Sequence, residues 1–171
     1  MRRLVLVAAV VMVAGATIVG QPEDRWRDFS FLLGEWQGEG RGSPGEGAGT
    51  FSFELGLDGR VLIRKSHSTY PATKGRPAFT HDDLMMIYAE GGRMRAIYFD
   101  NEDHIIHYTV SVVADPPGLV FLGDPTPNEP RFRFRYTSLG KDKVKSRFEI
   151  APPGKPDAFS LYIEGDARRV R

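Results

Sequence analysis

From Gly34 onward, apolar and polar residues alternate over short runs that are separated by turn-forming residues. The clearest run is 131–137, in which Phe132, Phe134 and Tyr136 alternate with arginines. Successive side chains of a β-strand point to opposite faces, so this pattern predicts a strand with one apolar face and one face in water. Ten such strands are predicted, at 35–41, 50–57, 60–70, 83–89, 93–100, 104–113, 119–123, 131–137, 144–150 and 158–164.

The connections between these strands are short and rich in glycine, proline, asparagine and aspartate, as in Asp58-Gly59 and Gly91-Gly92. Such residues supply the backbone angles of tight reversals, which join antiparallel neighbours. An open sheet of ten strands would leave two unpaired edges, so we expect an all-β, up-and-down antiparallel barrel. A two-layer β-sandwich is the alternative.

One short helix is predicted before the strands, at 23–33, where Trp26, Phe29, Leu32 and Leu33 share a face. We expect it to close one end of the barrel. No internal repeat or second domain is visible in the sequence, so residues 21–171 are expected to form a single barrel domain.

The first twenty residues have the pattern of a secretion signal. The basic pair Arg2 and Arg3 precedes an apolar run that is rich in alanine, glycine and valine. We therefore predict a signal peptide at 1–20 and an exported protein, periplasmic or secreted, with no stable membrane anchoring after cleavage. The chain contains no cysteine, which excludes a cysteine-linked lipid anchor, a disulfide and a thiolate metal site.

The charge of the chain is balanced, with 23 basic and 22 acidic residues. Loss of Arg2 and Arg3 with the signal leaves the predicted mature chain close to neutral. The basic residues are also scattered among acidic ones, so the sequence gives no reason to expect a nucleic-acid partner.

Gly34, Trp36, Gly38, Gly40 and Gly42 occupy alternate positions of the first predicted strand and so share one face. With the preceding helix, this Gly-x-Trp stretch resembles the calycin superfamily, meaning lipocalin-like and nitrobindin-like barrels. The resemblance beyond this motif rests on the layout of the strands over nearly the whole mature chain. It implies a β-barrel whose first strand carries this motif directly after a short helix.

The nitrobindin-like branch of that superfamily binds haem through a histidine on a strand near the C-terminus. The corresponding stretch here, 157–164, contains no histidine, and none occurs after His107. The expected axial ligand is therefore missing, and haem would need another interior histidine. We expect no cofactor.

The favoured function is a binding protein whose aromatic interior accepts one small hydrophobic molecule. A barrel of about ten strands encloses enough space for such a ligand. The residues expected to line the space are Trp36, Phe53, Met86, Tyr98, His104, Tyr108, Phe134 and Tyr136.

The alternative function is an enzyme that uses the same cavity, with His104 and Tyr108 as an acid–base pair and Asp100 beside them. By strand parity, His104 and Tyr108 point inward and His107 outward, so His104 and His107 form no metal pair. No metal site is therefore expected, and no motif of an acyl-transfer enzyme, a phosphate loop or a metalloprotease occurs.

Two further groups of polar residues are expected to lie at the surface. The triplet His81-Asp82-Asp83 stands just before a predicted strand, where such residues usually belong to a solvated loop. Arg64 lies on a strand of which neither face is cleanly apolar, and we expect it at the barrel rim with its aliphatic stem covering apolar surface. An inward Arg64 would need an anionic partner, such as a ligand carboxylate or Glu54.

Overall fold

In the computed structural model, residues 25–170 are described, and ten antiparallel strands among them close into a barrel. Each strand pairs with its neighbours in sequence, and the first pairs with the last through contacts such as Trp36 with Arg169. The predicted up-and-down barrel is confirmed, and the sandwich alternative is wrong. The predicted signal peptide lies outside the described residues. The strands are β1 (Gly34–Gly42), β2 (Gly47–Gly56), β3 (Val61–Tyr70), β4 (Phe79–Glu90), β5 (Arg93–Asp100), β6 (Ile105–Ala114), β7 (Pro117–Gly123), β8 (Arg131–Ser138), β9 (Lys143–Ala151) and β10 (Ser160–Arg169).

Strand β4 begins four residues earlier than the sequence predicts. Phe79 pairs with Tyr70 on β3, and the ladder continues through His81 and Asp83. The hydrogen bonds of a β-ladder are made by the backbone, so polar residues can take part in them as apolar ones do. The strand can therefore extend beyond the apolar segment from which it was predicted. This extension places the side chain of His81 on the inner wall of the barrel, next to that of Asp83.

A 3-10 helix, Arg27–Leu32, closes one end of the barrel as predicted, although it is shorter than the predicted segment. Trp26, Phe29 and Leu32 are buried against the barrel core. The indole of Trp26 donates to the carbonyl of Gly59 at 2.7 Å, and that of Trp36 donates to the carbonyl of Leu32 at 2.8 Å. These bonds fix the helix on the strands. No helix within residues 25–170 is long and apolar enough to cross a membrane.

The half of the barrel next to the helix is filled by apolar side chains. Large buried residues from most strands meet there, including Phe53, Leu62, Met85, Ile87, Leu119, Phe121 and Val144. In the other half, the inward positions of β1 and β2 carry glycines such as Gly38, Gly40 and Gly49. A methyl group on Gly38 would lie 2.8 Å from the carbonyl oxygen of Asp166 on β10, so glycine allows the two backbones to approach closely.

Candidate functional site

A cavity of about 420 Å³ occupies the half of the barrel away from the helix. Along a strand, the boundary between the cavity and the packed core lies between two consecutive inward-facing residues. Arg64, Asp83 and Ile106 line it, whereas Leu62 and Met85, the next inward residues toward the helix, belong to the packed core. The cavity is therefore the unfilled continuation of the barrel interior.

One wall of the cavity is aromatic and lies on β8, β9 and β10. The rings of Phe132 and Phe148 stack at 5.7 Å, and Phe134 meets Phe148 edge to face at 5.9 Å. Tyr162 extends this group, at 6.2 Å from Phe148. We call Phe132, Phe134, Phe148 and Tyr162 the aromatic wall.

The floor of the cavity is formed by Arg64, which is only 5% exposed. Its Nε donates to the hydroxyl of Tyr136 at 2.7 Å, and its Nη1 contacts Oδ1 of Asp83. The guanidinium carbon lies 5.3 Å from the ring centre of Phe134 and 5.7 Å from that of Phe51. Since β3 and β8 stand on opposite sides of the barrel, the guanidinium spans the lumen.

The floor carries a buried ion pair. Burial acts to lower the pKa of Arg64, but the carboxylate of Asp83 and the hydroxyl of Tyr136 outweigh it and hold that pKa above its ordinary value. Burial raises the pKa of Asp83, and Arg64 opposes the rise. Burial also raises the pKa of Tyr136 to about 12, so its hydroxyl stays protonated and neutral. The guanidinium is thus a fixed positive charge held by a carboxylate and a phenol.

A second wall of the cavity, on β4, β5 and the connection from β5 to β6, is polar. The ring of His81 on β4 lies between two partners, with Nε2 2.9 Å from the hydroxyl of Tyr98 and Nδ1 3.3 Å from a carboxylate oxygen of Glu102. The hydroxyl of Tyr98 also lies 3.2 Å from Oδ2 of Asp100. Burial raises the pKa of Tyr98, so this phenol acts as a hydrogen-bonding group and not as an anion.

Asp100 is the anchor of this polar wall. Its carboxylate accepts hydrogen bonds from the backbone N–H groups of Glu102 (2.9 Å) and His104 (3.0 Å), and Nδ1 of His104 lies 2.9 Å away. Burial acts to raise the pKa of Asp100, but these hydrogen bonds outweigh it and hold the pKa below its ordinary value. Asp100 is therefore ionised. We call His81, Tyr98, Asp100, Glu102 and His104 the polar wall.

The structure brings half of the predicted ligand-binding residues to the cavity and leaves the others outside it. Tyr98, His104, Phe134 and Tyr136 are among the lining residues. Trp36, Phe53 and Tyr108 are buried in the packed half and do not reach the cavity.

The predicted inward orientation of Met86 is wrong. Met85 and Ile87 are fully buried on the inner face of β4, and Met86 shares its parity with the exposed Leu84 on the outer face. Since apolar residues occupy both faces of this part of the strand, alternation alone does not indicate which face is inside.

Only two of the three proposed acid–base residues are in contact. Asp100 and His104 are hydrogen-bonded, but Tyr108 is fully buried, and its hydroxyl has no hydrogen-bond partner among residues 25–170. Burial raises the pKa of Tyr108, which makes it a poor proton donor or acceptor near neutral pH. The structure does not support the pair of His104 with Tyr108.

Three residues of the site were expected at the surface. Arg64 was predicted at the rim but lies on the floor, and its partner is Asp83, while Glu54 lies on the outside and pairs with Lys65. His81 and Asp83 were expected in solvent, His81 in a loop and Asp83 at the start of the predicted strand, but both lie on β4 and line the cavity. Their parity with Met85 and Ile87 is the signal that could have placed them inside.

In the part of the chain that the structure describes, no group of three or more histidine, aspartate or glutamate side chains is arranged to hold a metal ion. Strand β10 carries no histidine, so the nitrobindin-like ligation of haem does not fit this chain.

No protein-family model and no curated protein sequence matches the chain. Among solved structures, it is similar to a de novo designed fluorescence-activating β-barrel, with 13% identity, a TM-score of 0.42, and coverage of 82% of this chain and 94% of the other. It is also similar to EF1p2_mFAP2b bound to DFHBI, with 10% identity, a TM-score of 0.43, and coverage of 84% and 97%. Similarity at this level does not extend to function.

Proposed function

We propose that this barrel is a binding protein for one small, mostly apolar molecule. The observation that carries the proposal is the cavity of about 420 Å³ that continues the barrel interior. Cavities that hold small ligands usually measure about 300–1,000 Å³ and combine apolar walls with a few polar groups. The aromatic wall provides the apolar surface, and the polar wall and Arg64 provide groups that would orient the ligand.

The filled half of the barrel supports this proposal. Trp36, Phe53 and Tyr108 pack the core next to the helix, so within residues 25–170 the interior is filled at the helix end and has a cavity toward the other end. A protein that needed only stability would gain from filling the second half as well, because each cavity in a core reduces stability. The glycines at inward positions of β1 and β2 keep that half open.

We further propose that the chain is a calycin-like barrel that is exported to the periplasm or secreted. Support for the first part is the placement of Gly34 and Trp36 at the start of β1, directly after a short helix that closes the barrel. Support for export is the basic and apolar pattern of residues 1–20.

An enzyme is the second candidate, and the contact between Asp100 and His104 is the observation that favours it. A carboxylate bound to Nδ1 orients an imidazole and leaves Nε2 for proton transfer, as in many acid–base sites. Equal turnover by wild type and His104→Ala on any substrate found for the cavity would exclude this role.

The binding proposal is tested by titration with N-phenyl-1-naphthylamine, a neutral fluorophore that brightens in apolar surroundings. We expect one molecule to bind per chain with micromolar affinity. Ser146→Trp, which places an indole inside the cavity, should abolish binding. The matched control is Lys145→Trp, the neighbouring residue on β9, whose side chain pairs with Asp166 outside the lumen. No binding to wild type, or equal binding to both variants, would overturn the proposal.

A further inference from the structure

The side chains that face the cavity include more acidic than basic groups, although the charge of the whole chain is nearly balanced. The whole chain carries 23 basic and 22 acidic residues. Among the described residues that line the cavity, Arg64 is the only lysine or arginine, and six are acidic. The side chains of Asp83, Asp100 and Glu102 belong to the floor and the polar wall, whereas those of Glu39, Glu164 and Asp166 alternate with the inward residues of β1 and β10 and point to the outer face. We infer that the ligand is an organic cation, meaning a protonated amine or a quaternary ammonium group on an apolar skeleton. This inference rests on the proposed binding function.

Several of these carboxylates already have cationic partners. Arg64 pairs with Asp83 on the floor. Glu164 lies 3.6 Å from Arg41 and 3.9 Å from Arg147, and Asp166 lies 3.6 Å from Lys145. These pairs are compensated by side chains of the protein itself, so they do not set the charge of the ligand.

Asp100 and Glu102 differ from these pairs. Within residues 25–170, neither has a lysine or arginine nitrogen within 4.0 Å, and their side-chain partners are His104, His81 and Tyr98. The carboxylate of Asp100 is only 3% exposed and is ionised, as its hydrogen bonds require. A buried carboxylate that is not paired with a lysine or arginine acts at greater range than an exposed one, because little water screens it. The polar wall therefore gives the cavity a negative potential.

The aromatic wall is an independent reason to expect a cation. Phe132 belongs to that wall, and its ring centre lies 6.1 Å from the ring of His104, which itself contacts Asp100. Aromatic faces attract cations, most strongly where water is excluded. A positive group in the cavity beside Phe132 would thus be attracted by the aromatic ring and by the carboxylate of Asp100, while its apolar skeleton would contact Phe134 and Phe148.

An anionic ligand is disfavoured by the same geometry. Arg64 is the only lining side chain with a permanent positive charge among the described residues, and Asp83 already neutralises it. Its guanidinium is also flanked by Phe51 and Phe134. An anion that reached this floor would meet Asp83 at close range and would not gain a free cation.

The test compares three probes with one naphthalene skeleton: 2-(1-naphthyl)ethyl-trimethylammonium, 1-propylnaphthalene and 3-(1-naphthyl)propionate. Calorimetric titration should show the cation binding at least about tenfold more tightly than the anion, with the neutral probe between them. If the neutral probe binds and the cation binds no better than the anion, this inference fails and the proposed function stands. If none of the three binds, both fail.

A variant series tests whether the polar wall is the source of the preference. Glu102→Gln removes a charge from a side chain that is 49% exposed, so the fold should tolerate it. We expect the ratio of cation to anion affinity to fall by about threefold or more. The control is Glu54→Gln, which removes an exposed charge outside the lumen and should leave the ratio unchanged. An unchanged ratio in Glu102→Gln, or an equal fall in both variants, would overturn the inference.

Discussion

Arg64 on β3 donates a hydrogen bond from Nε to the hydroxyl of Tyr136 on β8, across the lumen of the barrel, at 2.7 Å. This bond lies at the level where the packed half of the interior ends and the cavity begins. Asp83 compensates the guanidinium at the same level. The barrel thus has a charged partition with an apolar core on one side and the candidate binding space on the other.

Removing only one partner of the ion pair between Arg64 and Asp83 should lower the stability of the barrel. Arg64→Met leaves the carboxylate of Asp83 buried without its partner, and we expect a loss of about 3–5 kcal/mol in the free energy of unfolding. The double variant Arg64→Met with Asp83→Leu removes both charges and should recover most of that loss, because an apolar pair of similar size replaces the ion pair. Urea unfolding monitored by circular dichroism gives both values. A double variant as unstable as Arg64→Met would contradict this account of the partition.

Because Asp100 is ionised in the folded barrel, its contribution to the free energy of unfolding should depend on pH. Its pKa in the folded barrel lies below the ordinary value of 3.8, so its stabilising effect is complete above about pH 5 and is lost as the pH falls through the lowered pKa. Asp100→Asn should therefore cost about 1–3 kcal/mol at pH 7, and the difference from wild type should shrink toward pH 3. Urea unfolding at both pH values tests this. A difference that stays constant or grows on acidification would exclude the assigned ionisation.

The fold was largely predictable because its signal is local and repeated. A residue such as Phe134 lies between Arg133 and Arg135, and the same alternation recurs in strand after strand, with glycine and proline at the reversals. Closure followed from the need to pair the edges. The type of the helix was not predictable in this way, because the six residues of Arg27–Leu32 are too few to show a helical period.

The site was less predictable because it depends on the register between strands. Sequence reasoning places Arg64 and Asp83 at the surface since burying either charge alone is unfavourable. In the barrel, Arg64 lies opposite Met85 and Ser66 lies opposite Asp83, so the two charged residues are diagonal neighbours on adjacent strands. This register allows the two opposite charges to pair, which makes their burial possible. The alternation of residues along one strand gives no information about the register between two strands.

The close approach of β1 and β10 gives a separate prediction about stability. In Gly38→Ala, the new methyl group would lie 2.8 Å from the carbonyl oxygen of Asp166 and 2.9 Å from Cβ of Ala167. We expect a loss of about 1–3 kcal/mol, since backbone must move to relieve the contact. Gly75→Ala is the matched control, because nothing lies within 4 Å of its added methyl group, and it should change stability by less than about 0.5 kcal/mol. Equal effects of the two substitutions would contradict the packing described for β1.

The proposed function requires one small, mostly apolar molecule to bind in the half of the barrel above Arg64. The most direct measurement is a methyl NMR spectrum of protein labelled at isoleucine, recorded with and without N-phenyl-1-naphthylamine. Ile106 and Ile150 line the cavity, Ile87 is buried in the packed half, and Ile105 is 62% exposed. We expect the probe to shift the signals of Ile106 and Ile150 and to leave those of Ile87 and Ile105 in place. Shifts confined to Ile105, or no shift at saturating probe, would contradict the proposed function.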